Sequence, residues 1–170
     1  MPNQESRKLH IERVGNNEFF MFNLFGKKKK DAQTSVPELN DFQKSFNKEQ
    51  KSAVLNCIAL VGTREGTANE AELSFLTSSY KLLGLAMGDL SISQMQTKSE
   101  NYLINTLKTL DKGQQDWFIV TLQSMVLSNK KDINKKLKVA IDICNRMGIS
   151  DDRYVEVVNK AEAIIKRVTQ

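Results

Sequence analysis

From position 41 onward, apolar residues recur at intervals of three and four, the period of helices that turn one face inward. Phe42 and Phe46 lie four apart on a first short segment. Asn47, with Gln50 three residues later, has the form of a capping box and opens a helix whose Val54, Leu55, Ile58 and Val61 form an apolar stripe. The polar run Thr63-Arg64-Glu65-Gly66-Thr67 breaks that helix. Asn69 and Glu72 repeat the capping form, Leu73, Leu76, Tyr80 and Leu83 predict the inner face of the next helix, and Gly84 ends it.

Beyond Gly84 the spacing predicts a short helix near 91–96 and a longer one near 98–110 carrying Leu103, Ile104, Leu107 and Leu110. Asp111 and Gln114 then cap a helix holding Phe118, Leu122, Met125 and Val126. A polar turn at 128–132 leads to a helix with Leu137, Ile141, Cys144 and Met147, closed by Gly148. Ser150 caps a last helix to about position 168, with Tyr154, Val158, Ile164 and Ile165 inward. Placing Gly84 on Gly148 also pairs Leu73 with Leu137, Leu76 with Ala140, Tyr80 with Cys144 and Leu83 with Met147. The order of cap, helix, polar turn, helix and glycine thus recurs after 64 residues.

The segments that recur are AVLNCIALVGTREGTANEAELSFLTSSYKLLGL, at 53–85, and DWFIVTLQSMVLSNKKDINKKLKVAIDICNRMGIS, at 116–150. In each, an apolar helix reaches a polar turn and a second helix ends in Leu/Met-Gly-Leu/Ile. With these features the chain resembles the TerB-like domain family associated with tellurite resistance, over most of 41–166. The resemblance implies an all-α fold, a compact helical bundle of two pseudo-repeated halves, and a non-enzymatic binding or interaction role in a stress-response setting. Family members often carry an acidic turn able to hold a hard cation, because such ions take clustered oxygen ligands. Here Glu65, Glu70 and Glu72 remain in the first turn, while the matching turn carries Lys130, Lys131, Lys135 and Lys136 around Asp132. A divalent-cation sensor built on the three glutamates is therefore the alternative function. Glu70 and Glu72 are better accounted for as first-turn residues favoured by the helix dipole than as metal ligands.

Composition adds bounds. With 170 residues, 40% hydrophobic and 26% charged, the chain suits one globular domain, expected over 41–170, preceded by an arm and linker over 1–40 expected to be largely flexible. The net charge of +5 is uneven: residues 1–30 hold seven Lys/Arg against three Asp/Glu, and the remainder holds 18 against 17. The domain therefore has no bulk attraction for nucleic acid, and none is expected as a partner. Lys130, Lys131, Lys135, Lys136 and Lys138 are expected to form a solvated helix face. Tyr102, Trp117 and Phe118 are expected to pack inside.

Chemistry-bearing residues are sparse. His10 is the one histidine, and no triad, zinc spacing or phosphate loop accompanies it. Cys57 and Cys144 lie in apolar stretches without metal spacing and are expected to be buried free thiols of a cytoplasmic protein. Neither an enzyme nor a cofactor is expected. A catalyst using only carboxylates and lysines would need a buried pair with displaced pKa values. The arm sets Phe19, Phe20, Phe22, Leu24 and Phe25 beside Lys27, Lys28, Lys29 and Lys30. Three covers fit such a segment: a groove on its own domain, a protein partner, or an anionic membrane surface that takes both charge and rings.

Overall fold

A computed structural model of the chain describes residues 42–63, 66–85 and 98–168, and among them every regular element is helical. The arm, His10, Glu65 and the helix expected near 91–96 lie outside the described residues. A single helical turn at 42–45 precedes six longer helices: α1 (Lys48–Thr63), α2 (Glu70–Leu82), α3 (Glu100–Leu107), α4 (Lys112–Leu127), α5 (Ile133–Arg146) and α6 (Asp151–Val168).

Local chemistry sets the ends. Three capping boxes form as the spacing predicts. The Gln50 amide donates to Asn47 Oδ1 at 2.8 Å, Glu72 to Asn69 Oδ1 at 3.0 Å and Gln114 to Asp111 Oδ1 at 2.9 Å, with each partner side chain reaching back to the cap backbone. Each box satisfies donors that the helix itself leaves unpaired and contributes about 1 kcal/mol. Ser99 and Ser150 cap α3 and α6 through single bonds of 3.3 Å. At the far ends of α2 and α5, Gly84 (φ 68°) and Gly148 (φ 90°) take left-handed conformations. The amides that follow them, Leu85 and Ile149, bond back to Tyr80 and Cys144 carbonyls at 3.0 and 2.9 Å. That geometry suits glycine because it carries no Cβ to clash.

Helices α1 and α4 form the centre. Both are apolar around most of their circumference, so neither has a face to give to water. They pack on each other; α2, α3 and α5 pack on α1, while α2, α5 and α6 pack on α4. Gly62 lets the central pair approach closely, since a Cβ there would lie 3.1 Å from Met125 Sδ. Phe42, Phe46 and Trp117 form a mutual edge-to-face trio with centroids 5.3–5.5 Å apart, tying the entry turn to α4.

Hydrogen bonds recur with the 64-residue spacing. Gln50 Nε2 donates to the Thr109 carbonyl at 3.3 Å, and Gln114 Nε2 donates to the Ser45 carbonyl at 2.8 Å. The donors lie 64 positions apart and so do the acceptors, and each bond ties the entry of one central helix to the segment that precedes the other.

Some expected inner faces are rotated. Leu73 is 47% exposed, and the inner side of α2 is instead made by Glu72, Phe75, Ser79 and Tyr80. On α6, Ile164 is exposed, while Val157 and Ala161 join Tyr154 in the core. Tyr102 also departs from expectation: it lies outside, with the Lys98 ammonium 4.7 Å from its ring centre, whereas Trp117 and Phe118 are buried. At Leu73 and at Tyr102 it is the sequence neighbour, Glu72 or Leu103, that is buried.

Candidate functional site

Two arrangements carry polar chemistry: an enclosed ion pair and an open cleft. In the first, Lys136 of α5 donates to Glu72 Oε1 of α2, with side chains only 3% and 4% exposed. Glu72 Oε2 accepts the Asn69 amide at 2.9 Å, and the Asn129 side chain bonds to the same carboxylate. Burial alone raises the Glu72 carboxyl, but the bonds from Lys136, Asn69 and Asn129 outweigh it and hold its pKa below the ordinary 4.5. The carboxylate thus stays ionised and fully engaged. One acidic turn and one basic turn are clamped together at positions 64 residues apart.

Lys136 corrects the expectation of a wholly solvated lysine face. It lies four residues before Ala140 and seven before Ile143, on the buried side of α5, whereas Lys130, Lys131, Lys135 and Lys138 are exposed. The three glutamates considered for a cation fare differently. Glu70 is exposed in the first turn of α2, Glu72 is committed to Lys136, and Glu65 lies outside the described residues. Among the described residues no group of three His, Cys, Asp or Glu is arranged to hold a metal ion.

The second arrangement is a cleft of about 450 Å³ between α1, α3 and α5. Its floor is aliphatic, from Leu60 on α1, Leu103 and Ile104 on α3, and Val139 and Ile143 on α5. Charged groups form its rim: Glu100, Lys135, Lys138, Asp142 and Arg146. Arg146 donates to Glu100 at 2.8 Å and to Asn101 Oδ1 at 3.2 Å, and lies 4.0 Å from Asp142. Lys135 lies 3.6 Å from Asp132, and Lys138 makes no ion pair among the described residues. Cys57 also borders the cleft, but burial pushes its thiol up to about 12, so it is protonated and unreactive at neutral pH. Cys144 is held up to about 12 for the same reason.

No family model, curated protein or solved structure matches the chain. Its chemistry is therefore read from its own geometry.

The cleft was not visible in the sequence, although one of its walls has a periodic signal. Positions 135, 138, 139, 142 and 146 follow the three- and four-residue steps of a single helix face. That face reads as Lys, Lys, Val, Asp and Arg, which resembles an exposed strip until α1 and α3 supply the aliphatic floor opposite. The Phe22, Leu24, Phe25 and Lys27–Lys30 contact lies outside the described residues.

Proposed function

We propose that the protein is a non-enzymatic, TerB-like binding module whose working surface is the cleft between α1, α3 and α5. The observation that carries this reading is the cleft itself, with its aliphatic floor and charged rim and a volume of about 450 Å³, within the range of sites that take small ligands. The groups around it suit holding over transformation. Arg146 is engaged by Glu100 and Asn101, and Cys57 is kept as the thiol. The Glu72–Lys136 pair has the burial that carboxylate-and-lysine catalysis needs, yet the two groups neutralise each other in an enclosed position. Support for the TerB-like reading comes from matched capping boxes at Asn47 and Asp111, matched glycine ends and reciprocal Gln50 and Gln114 bonds, as a duplicated helical unit would produce.

In this reading the arm, through Phe22, Leu24, Phe25 and Lys27–Lys30, supplies a second contact, to a protein partner or to the anionic surface of a membrane, for a cytoplasmic protein acting in stress response. No described helix is long and apolar enough to cross a membrane, so a membrane contact through these helices would be peripheral. The divalent-cation alternative has less support, because Glu72 already carries an internal ammonium counter-ion.

The test is titration of the ¹⁵N-labelled full chain with a panel of small aliphatic, aromatic and phosphate-bearing compounds, followed by recovery of each compound. Saturable shifts at the cleft with the compound returned unchanged are expected. Chemical conversion of a compound, or no binder at the cleft across the panel, would contradict the proposal.

A further inference from the structure

We infer that Glu72 and Lys136 are one position of a duplicated helical unit, meeting on the twofold axis between its repeats, and that their opposite charges are the lock by which the first half recognises the second. The inference deepens the duplicated-unit reading of the fold and is independent of what the cleft binds.

Spacing sets the equivalence. Moved by 64 positions, α1 (Lys48–Thr63) falls on α4 (Lys112–Leu127) end for end. The capping box of Asn47 and Gln50 falls on that of Asp111 and Gln114. Gly84 falls on Gly148, both at positive φ, and the bond from the Leu85 amide to the Tyr80 carbonyl falls on that from Ile149 to Cys144. One unit used twice accounts for all of these matches at a single spacing.

The bonds between the halves give the symmetry. Gln50 of the first repeat donates to Thr109, and the equivalent Gln114 donates to Ser45, the equivalent of Thr109. A contact repeated with its two sides exchanged is the mark of a twofold, isologous interface. Points related by a twofold rotation are separated by twice their distance from the axis. Equivalent residues, 64 positions apart, can therefore touch only where the axis passes between them. Glu72 and Lys136 touch there, carboxylate to ammonium, both enclosed.

That position constrains the chemistry. A residue on a twofold axis faces its own counterpart, so one charged residue kept in both repeats would set like charges together out of water. Glu72 with Lys136 avoids this by giving each half one sign. A first half then accepts a second half and repels another first half. Both residues stand in the opening turns of their helices, α2 and α5, so the helix dipoles act on the two sites alike.

Urea unfolding of the full chain tests this with Glu72→Lys, with Lys136→Glu and with the two together. Each single reversal sets like charges on the axis, and the two are expected to lower the midpoint by similar amounts. The double exchange restores unlike charges at equivalent sites. Its midpoint is expected to lie closer to the parent's than to that of either single variant, with dispersed amide signals like the parent's. Recovery is expected to be incomplete, because the exchange gives up the bonds that Asn69 and Asn129 make to the carboxylate. A large loss from one reversal and none from the other would place the pair off the axis and overturn the inference. An exchanged chain no more stable than the single variants would overturn it as well. If neither single variant folds, a folded exchange supports the lock and an unfolded one overturns it.

Discussion

An ammonium group withdrawn from water loses several kcal/mol of hydration, and Lys136 regains it from one carboxylate that is itself held by Asn69 and Asn129. Removing either partner strands the other. Lys136→Met should therefore destabilise the fold by about 3–5 kcal/mol in denaturant unfolding at neutral pH, while adding Glu72→Gln to it should recover most of that loss. An unchanged midpoint for Lys136→Met would show that the pair is not enclosed as described. The pH dependence follows from the lowered Glu72 pKa. A depressed folded value contributes stability that is complete above the ordinary 4.5 and lost as pH falls through the lowered value. Unfolding free energy measured from pH 6 downward should thus fall more steeply for the parent than for Glu72→Gln, and parallel curves would contradict the assignment.

At the scale of the element, the helix ends follow from short-range rules and the inner faces do not. Asn47 with Gln50, Asn69 with Glu72 and Asp111 with Gln114 are legible because a capping box needs only two residues at fixed spacing. Periodicity places Leu73 on the inner side of α2 because it passes over the carboxylate of Glu72, and it leaves Lys136 on the outer side of α5 because the residue carries an ammonium. Periodicity weighs hydrophobicity, so two charges that neutralise each other across an interface read as two exposed positions. Gly148 gives the cleanest test of an end. No atom lies within 4 Å of where its Cβ would be, so Gly148→Ala meets only the cost of φ 90°. About 1 kcal/mol of destabilisation is expected from thermal or denaturant unfolding, and none would mean that α5 ends in another way.

Over the described molecule, α1 and α4 contribute Cys57, Ile58, Trp117, Phe118 and Leu122 to one continuous core that reaches Cys144 on α5. Both thiols are held up to about 12 by burial within that core. Their alkylation at neutral pH should therefore proceed at the rate of opening of the fold, and Lys136→Met should accelerate both in parallel. Rapid reaction of Cys57 alone would show that the cleft floor opens independently. The core could be anticipated from apolar stripes, but the cleft depends on three helices distant in sequence, and its aliphatic residues look like ordinary core positions until α3 is set beside α5. Its function is most directly tested by intermolecular nuclear Overhauser effects between a saturating panel ligand and selectively labelled methyl groups of the full chain. The account predicts contacts to Leu60, Leu103, Ile104, Val139 and Ile143; contacts confined to other methyls or to the arm would contradict it.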